Sequence, residues 1–446
     1  MEKTTDIASE IIRRRDVREQ LTFTIDPADA KDFDDALSFV RQDDGSFLVG
    51  VHIADVTHYV LPGDENDKRA YEKGTSIYYV DHVDPMLPEE LCNDLCSLRP
   101  DEDKLCMSVV FTLDAEAHVT KHKICRTVIR SNHRLTYEQA QTLLDAQPTD
   151  ELATALHALN ALAKKLRKER MDAGALDLEQ EEVAFRLDEQ GHPVDIYFKQ
   201  PMDANRLIEE FMLLANRTVA TEMAHRHHEF VYRVHDKPDH EKLDKVAAFQ
   251  RKMGDRVLPS VIEMLTIRAM AKAVYSTKNI GHYGLAFDYY THFTSPIRRY
   301  PDMMVHRLVA QVILGERTKQ NVERPYKDLE DACDHCSVME QNAQQEERDS
   351  VKTMQTVWMH DHMGETFDGT IVNVTDFGVF VQLDGNRCEG LIHITDLVEN
   401  DYMLYDEKNY RLIGEQTGKT FTLGDKLRVK VVRADIDRHQ IDFKNI

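Results

Sequence analysis

No stretch of this sequence stays apolar for the roughly 18 residues that a membrane-spanning helix needs, and its start, Met1 to Arg15, is charged rather than signal-like. Both absences point to a cytoplasmic protein with no membrane partner. Cysteine is scarce and odd in number, seven in 446 residues, so a disulfide framework is not expected and the compartment reads as reducing. Positive charge is short as well: 56 Lys and Arg stand against 79 Asp and Glu, a formal net charge of −23. Phosphate binding rests on local Lys/Arg excess, so this chain cannot coat nucleic acid along its whole surface. An acidic exterior around a basic channel would still capture a strand end that threads inside. Internal repeats, low-complexity tracts and long linkers are missing too.

The remaining composition, 42% hydrophobic and 30% charged, is that of an ordinary globular protein. Its length exceeds what one compact core usually takes, so two or more units are expected. Residues 1–20, with Arg13, Arg14 and Arg15 in a row, read as a short helix or linker. From Leu21 to about Thr136, runs such as TFTI, ALSFV, FLVGVHIADV, SIYYV and SVVFTL alternate with Asp, Gly and Pro, which predicts a twisted, largely antiparallel sheet. Helical spacing follows over about 137–176, then two strands around Gly191, then helix over 203–228. A longer helical region over 301–359 is interrupted near Gly315 and Pro325. From Gly364 the runs FDGTIVNV, GVFVQL, EGLIHI, LRVKVVRAD and QIDFKNI predict a five-stranded barrel of the OB type. The fold class is α+β, a mixed unit over 21–360 followed by a barrel unit over 361–446.

The stretch TIDPADAKDFDDALSF places Asp26, Asp32, Asp34 and Asp35 within ten residues. Carboxylates so close repel one another, and a hard divalent cation with oxygen ligands is the natural neutraliser. With no His or Cys at ligand spacing, magnesium fits better than zinc. Phosphodiester hydrolysis by a metal pair uses such a cluster: one ion lowers the pKa of the attacking water and the other stabilises the leaving oxygen. The apolar neighbours, Phe23, Ile25, Phe33, Ala36, Leu37 and Phe39, predict that the acids leave a strand and fold back across its end. Taken alone, the stretch also admits the plainer reading of a solvated acidic turn. In FTSPIRRYPD, Arg298 and Arg299 precede Pro301, a residue suited to a helix start. Two cations at a helix N-terminus make electrostatic sense if an anion completes the site, although a structural ion pair is the expectation for Arg299.

This acidic stretch resembles the catalytic motif of the ribonuclease II and ribonuclease R family of RNB-type exoribonucleases. HIADVTHYV, GTSIYYVDHVDPMLP, LCSLRP, ANRLIEEFMLLAN, HYGLAFDYYTHFTSPIRRYPDMMVHRL and EERD follow in that family's order, over about Leu21 to Trp358. The segment after it resembles an S1 RNA-binding domain, nearest to the ribonuclease R branch. The resemblance implies a hydrolytic 3′-to-5′ exoribonuclease that degrades single-stranded RNA with a free 3′ end to 5′-nucleoside monophosphates. It implies Mg²⁺ as cofactor, two ions per site with Mn²⁺ as substitute, held by Asp26, Asp32, Asp34 and Asp35. Arg298 matches the arginine expected on the scissile phosphate, Tyr78 the aromatic residue on the terminal base, and Glu347 an acidic residue near the terminal nucleotide. Phe185 is the candidate stacking partner, with a core-strand role as its competitor. In the barrel, Phe377, Phe380 and His393 occupy the positions that face RNA, flanked by Arg387, Lys426, Arg428, Lys430 and Arg433. Rings of this kind grip a strand without reading its sequence; for Phe380 a place in the barrel core is the rival. After Asp437, where the family often carries a further basic contact, this chain reads DRHQID.

Other groups are expected to be structural. Glu209 and Glu210 lie three and four residues after Arg206, at intrahelical spacing. Tyr232, Arg233 and His235 could line a channel or belong to a mixed strand. The lone CxxC of Cys333 and Cys336 has no second pair, and the 21 histidines form no HExxH pattern. The sequence shows none of the cold-shock-type domains that usually precede the catalytic domain, which predicts weaker RNA affinity and altered handling of duplexes. A monomer is expected. The rival readings are an RNA-binding adaptor without catalysis, and a metal-dependent nuclease acting on DNA or at internal positions.

Overall fold

The computed structural model describes residues 7–177, 182–253, 259–316 and 325–446. Its first unit is built on a seven-stranded sheet in the order Arg15–Asp16, Val119–Arg130, Asp103–Leu113, Phe47–Ala54, Asp35–Arg41, Thr22–Asp26, His133–Thr136. All pairs are antiparallel except the two outermost, Arg15–Asp16 with Val119–Arg130 and Thr22–Asp26 with His133–Thr136, which are parallel. The central strands are buried on both faces, which is why Asp103–Leu113 reads as a near-continuous apolar run from Leu105 onward, while Thr22–Asp26 buries its threonines with Phe23 and Ile25. One polar row crosses this interior: His52 Nδ1 meets Ser108 Oγ at 2.8 Å, His52 Nε2 meets Ser38 Oγ at 2.9 Å, and Ser108 Oγ meets Thr127 Oγ1 at 2.6 Å. Gly50 makes room for it, since a Cβ there would come within 2.4 Å of the His52 ring.

The sheet takes in more of the N-terminal stretch than a linker over 1–20 implies. Residues 1–6 lie outside the described residues; beyond helix Ile7–Arg13, Arg14 is buried against Asp55 at 2.7 Å, and Val17 N–H donates to the carbonyl of Val128. The packed unit therefore begins near Arg14, because an ion pair to a buried carboxylate and a strand pairing fix the chain there.

Helices Glu151–Asp172 and Asp203–His225 pack on this sheet, the first capped by Asp150, which accepts from Ala153 N–H. Helix Tyr300–Val312 lies beneath the site, and the 33-residue helix Leu329–Asp361 runs from this unit to the barrel. The interruption expected between them is partly visible at Gly315, with φ 69°; residues 317–324 lie outside the described residues. The hairpin Glu182–Leu187 with Pro193–Lys199 turns at Gly191, φ 80°.

The second unit is a closed barrel of Thr366–Val374, Gly378–Leu383, Glu389–His393, Gln440–Asn445 and Lys426–Asp435. Phe443 closes its core against Gly390, where a Cβ would sit 2.5 Å from the ring. Between its third and fourth strands the chain adds a three-stranded sheet, Met403–Asp406, Arg411–Gly414 and Thr420–Thr422. The barrel's apolar cluster continues into Ile196 of the hairpin, Phe249, Leu265 and Met359, so the two units share a packed joint.

Candidate active site and RNA channel

Asp26 is the last residue of one central strand and Asp35 the first of the next, with Asp32 and Asp34 in the turn between them. The turn is pinned from several sides. Phe33 is buried and its N–H donates to Ser97 Oγ, while Ser97 Oγ donates to the Lys31 carbonyl. Arg134 Nη2 donates to the carbonyls of Pro27 and Ala28, and Asp34 O accepts from Ala54 N–H at 2.8 Å. The acids are therefore held at the sheet end, as their apolar flanks predict, and not in a free loop.

Their electrostatics are those of a site lacking positive charge. Burial, reinforced by Asp35, pushes the Asp26 carboxyl up to about 8, and Asp26 Oδ2 is buried without a hydrogen-bond partner. Burial also lifts Asp35 to about 6 against the opposing pull of Arg298 and Arg299. Asp34 and Asp32 are raised for the same reason, each with Arg298 opposing. Among the described residues no three acidic, His or Cys groups already converge on one point. Magnesium does not require that, since it commonly takes one or two carboxylates and fills its octahedron with water and substrate phosphate. Oxygen-only donors, an orphaned buried carboxylate oxygen and four carboxyls held above their ordinary range fit a hard divalent cation.

The turn before helix Tyr300–Val312 faces this cluster. Asp34 Oδ1 accepts from Ile297 N–H at 2.9 Å, and Arg298 Nε stands 3.6 Å from Asp34 Oδ2. Arg299 behaves as the structural pair expected of it: Nε and Nη2 donate to the two oxygens of buried Asp302 at 2.9 and 2.8 Å. The Arg298 carbonyl accepts from Thr75 Oγ1 and Ser76 N–H, both at 3.0 Å, which ties the turn to the segment leading to Tyr78. Tyr78 is 40% exposed. Its N–H donates to Glu347 Oε1 at 3.1 Å, Tyr79 bonds Glu346, and Val80 N–H donates to Ser350 Oγ at 3.0 Å. The long helix thus edges the Tyr78 segment along its whole length.

A cavity of about 1060 Å³ runs from Arg298 and Tyr78 to the barrel, and none of Asp26, Asp32, Asp34 and Asp35 is among its lining residues. Tyr78, Arg298 and Glu347 line one part, Arg348 and Lys352 of the long helix line its length, and Phe377, Phe380 and Arg387 line the barrel side. Phe377 is 46% exposed and meets Phe380 edge-to-face at 6.1 Å. His439, in the DRHQID stretch, also lines the cavity and bonds Thr353 of the long helix at 3.2 Å.

Three expectations land elsewhere. Phe185 does not line the cavity: it faces Ile196 across the hairpin and packs into the joint with the barrel, which is the core-strand role. His393 is exposed outside the cavity lining and caps helix Ile394–Leu397, its Nδ1 accepting from Thr395 N–H. Of the five barrel cations expected beside the rings, Arg387 lines the cavity, while Lys426 pairs with Asp384 and Arg433 with Asp435. Glu210 is bound by Arg170 of the neighbouring helix at 2.5 Å, and Arg233 holds Glu340 of the long helix in a two-bond pair at 2.6 and 3.0 Å.

Tyr137 escapes a sequence reading. Burial raises its phenol, with Asp35 and Asp26 adding to the effect, so the ring stands beside the acids. Only the parallel pairing of Asp26 with Thr136 brings it there.

A mixed α+β unit with an acid cluster at its sheet end, and beside it a cavity that Arg298 lines and that reaches an OB-type barrel, is the architecture expected of an RNB-type protein. The chain belongs to the RNB family: the RNB domain matches residues 14–315, and the S1 RNA binding domain matches residues 361–444. Among curated relatives, Ribonuclease R of Thermotoga maritima is 41% identical over 463 residues and Ribonuclease R of Aquifex aeolicus 39% over 464, covering 97% and 98% of this chain. The chain spans 65% of the length of each of these two relatives. Among solved structures, Mycoplasma genitalium RNase R in complex with ribose methylated single-stranded RNA superposes with a TM-score of 0.92 at 29% identity, over 100% of this chain and 74% of that one.

Proposed function

We propose that this chain is a hydrolytic 3′-to-5′ exoribonuclease that releases 5′-nucleoside monophosphates from single-stranded RNA with Mg²⁺ as cofactor. One observation carries the reading: Asp34 of the four-acid turn, its carboxyl raised by burial, stands 3.6 Å from Arg298, and Arg298 lines a cavity that runs to Phe377 and Phe380 of the barrel. The Mycoplasma relative with single-stranded RNA bound, and the Ribonuclease R names of the curated relatives, support the choice of substrate.

In this reading a 3′ end passes Phe377 and Phe380, runs along Arg348 and Lys352, and stacks its last base on Tyr78. Glu347 holds the Tyr78 backbone in place. Arg298 takes the scissile phosphate, and Asp26, Asp32, Asp34 and Asp35 hold Mg²⁺, two ions during catalysis with Mn²⁺ as substitute. The bound ions supply a more acidic water and stabilise charge on the leaving oxygen. We take residues 21–360 as catalytic, 361–446 as RNA-binding and 1–20 as an extension whose last residues join the sheet; the closed barrel of Thr366–Asn445 supports the division. We also read the protein as a cytoplasmic monomer; no helix among the described residues is long and apolar enough to cross a membrane.

The test is Asp34→Asn, which removes a charge and almost no volume. Cleavage of end-labelled RNA in Mg²⁺ should stop, as it should for wild type in EDTA, while RNA affinity stays near wild type. A fully active variant would overturn the assignment. A one-nucleotide product ladder separates this reading from an endonuclease, and a 2′-deoxy residue near the 3′ end separates it from a DNA nuclease. Absence of any cleavage by wild type would favour the RNA-binding adaptor.

A further inference from the structure

We propose that Ser295 is a positioning residue that aims the Arg298 guanidinium at the phosphate while leaving its charge intact. The proposal rests on the exoribonuclease reading, in which Arg298 is the phosphate contact. Adjacent in sequence, the two arginines are held in opposite ways. Arg299 is bound by both oxygens of Asp302, so its charge is neutralised inside the fold. Arg298 instead donates from Nη2 to Ser295 Oγ at 3.0 Å, and its Nε stands 3.6 Å from Asp34 Oδ2. A hydroxyl is a neutral acceptor. It fixes the plane of the guanidinium without cancelling the charge that a phosphate must meet, whereas a carboxylate at the same place would make a second Arg299.

Ser295 can do this because it is itself immobile. It is 4% exposed, its N–H donates to Asp302 Oδ1 at 2.8 Å, and its carbonyl accepts from Arg299 N–H at 3.0 Å and Arg298 N–H at 3.3 Å. Asp302 thereby anchors both the Arg299 side chain and the Ser295 backbone, and the hydroxyl passes that rigidity to Arg298. Arginine is a long side chain with many rotamers, and the Arg298 side chain is 42% exposed. Without the hydroxyl, attraction to the acid cluster is what remains to direct it, which draws it onto Asp34 and away from a phosphate.

Ser295→Ala retains every backbone bond of the turn and deletes only Oγ, so the fold should survive with an unchanged Tm. Single-turnover cleavage of a labelled single-stranded RNA in Mg²⁺ should slow about tenfold, the scale of one hydrogen bond to a charged group. The Kd for the same RNA in EDTA should change less than about twofold, because the charge is still present. Ser295→Asp should lose both rate and affinity. In an Arg298→Gln background the alanine substitution should add nothing, since the hydroxyl no longer has a guanidinium to orient. A full effect of Ser295→Ala in that background, or no effect in the native one, overturns the proposal. A second readout is independent of cleavage: the Arg298 Nε–H resonance in a ¹⁵N NMR spectrum, assigned by its loss in Arg298→Gln. Ser295→Ala should raise its exchange with solvent, and unchanged exchange overturns the positioning role. Wild type that fails to cleave RNA at all would defeat the exoribonuclease reading instead, and the NMR result would still decide the role of Ser295.

Discussion

Asp26→Asn separates the charge of the acid cluster from its shape. In the metal-free protein burial and Asp35 raise the Asp26 carboxyl from 3.8 to about 8. A carboxyl raised on folding contributes stability that is fully present below the unfolded value of 3.8 and is lost as pH climbs toward 8. Each unit is worth about 1.36 kcal/mol, so at pH 7 the unpaired carboxyl costs the fold at most on the order of 4 kcal/mol. Asparagine keeps the shape and cannot ionise. Thermal unfolding in EDTA at pH 7 should therefore show the variant several degrees more stable than wild type, and at pH 4 the two should nearly coincide. Added Mg²⁺ reverses the order: it stabilises wild type by about 2.7 kcal/mol at a hundredfold excess over its Kd and the variant by much less. Two results would refute the reasoning. A variant destabilised in EDTA at pH 7 would mean that Asp26 is not an unpaired charge, and a Tm that rises with Mg²⁺ as far as wild type would place the cation elsewhere.

Phe377→Ala should weaken single-stranded RNA binding about tenfold, the loss of one stacked base, with the barrel still folded; unchanged Kd in a fluorescence titration would remove Phe377 from the RNA path. Tyr78→Ala should lengthen the shortest product on a sequencing gel, because a short strand that loses its terminal stack dissociates before the next cleavage; an identical end product would show that the ring does not hold the last base. Arg14→Ala removes one of the two arginines that pair with fully buried Asp55 and leaves Arg126. It should cost about 3 kcal/mol in urea unfolding. Burial opposes ionisation of Asp55, but Arg126 and Arg14 together hold its carboxyl below the ordinary range. That contribution is present above the unfolded pKa and is lost as pH falls through the lower folded one, so the deficit of the variant should shrink in acid.

Local pattern alone determined the antiparallel sheet, the five barrel strands and the acid turn, because side chains that alternate in and out of a core leave a period of two and a tight turn keeps its acids adjacent. Arg298 and Arg299 were legible as a pair for the same reason. Which of them is neutralised was decided by Asp302, three residues beyond Arg299, and by helix geometry that brings its carboxylate back onto one arginine. The rest belongs to tertiary structure. Tyr78 meets Glu347 across 269 residues and Asp34 meets Ile297 across 263, distances at which no spacing rule operates. Phe185 and Phe377 are both aromatic residues near a strand, yet the joint between the units half-buries one and the cavity exposes the other. Lys426 and Arg433 look in sequence like RNA contacts, and nearby carboxylates on the barrel take their charge. Residue type and spacing told which groups could do the chemistry; only packing decided which faces were left open to solvent.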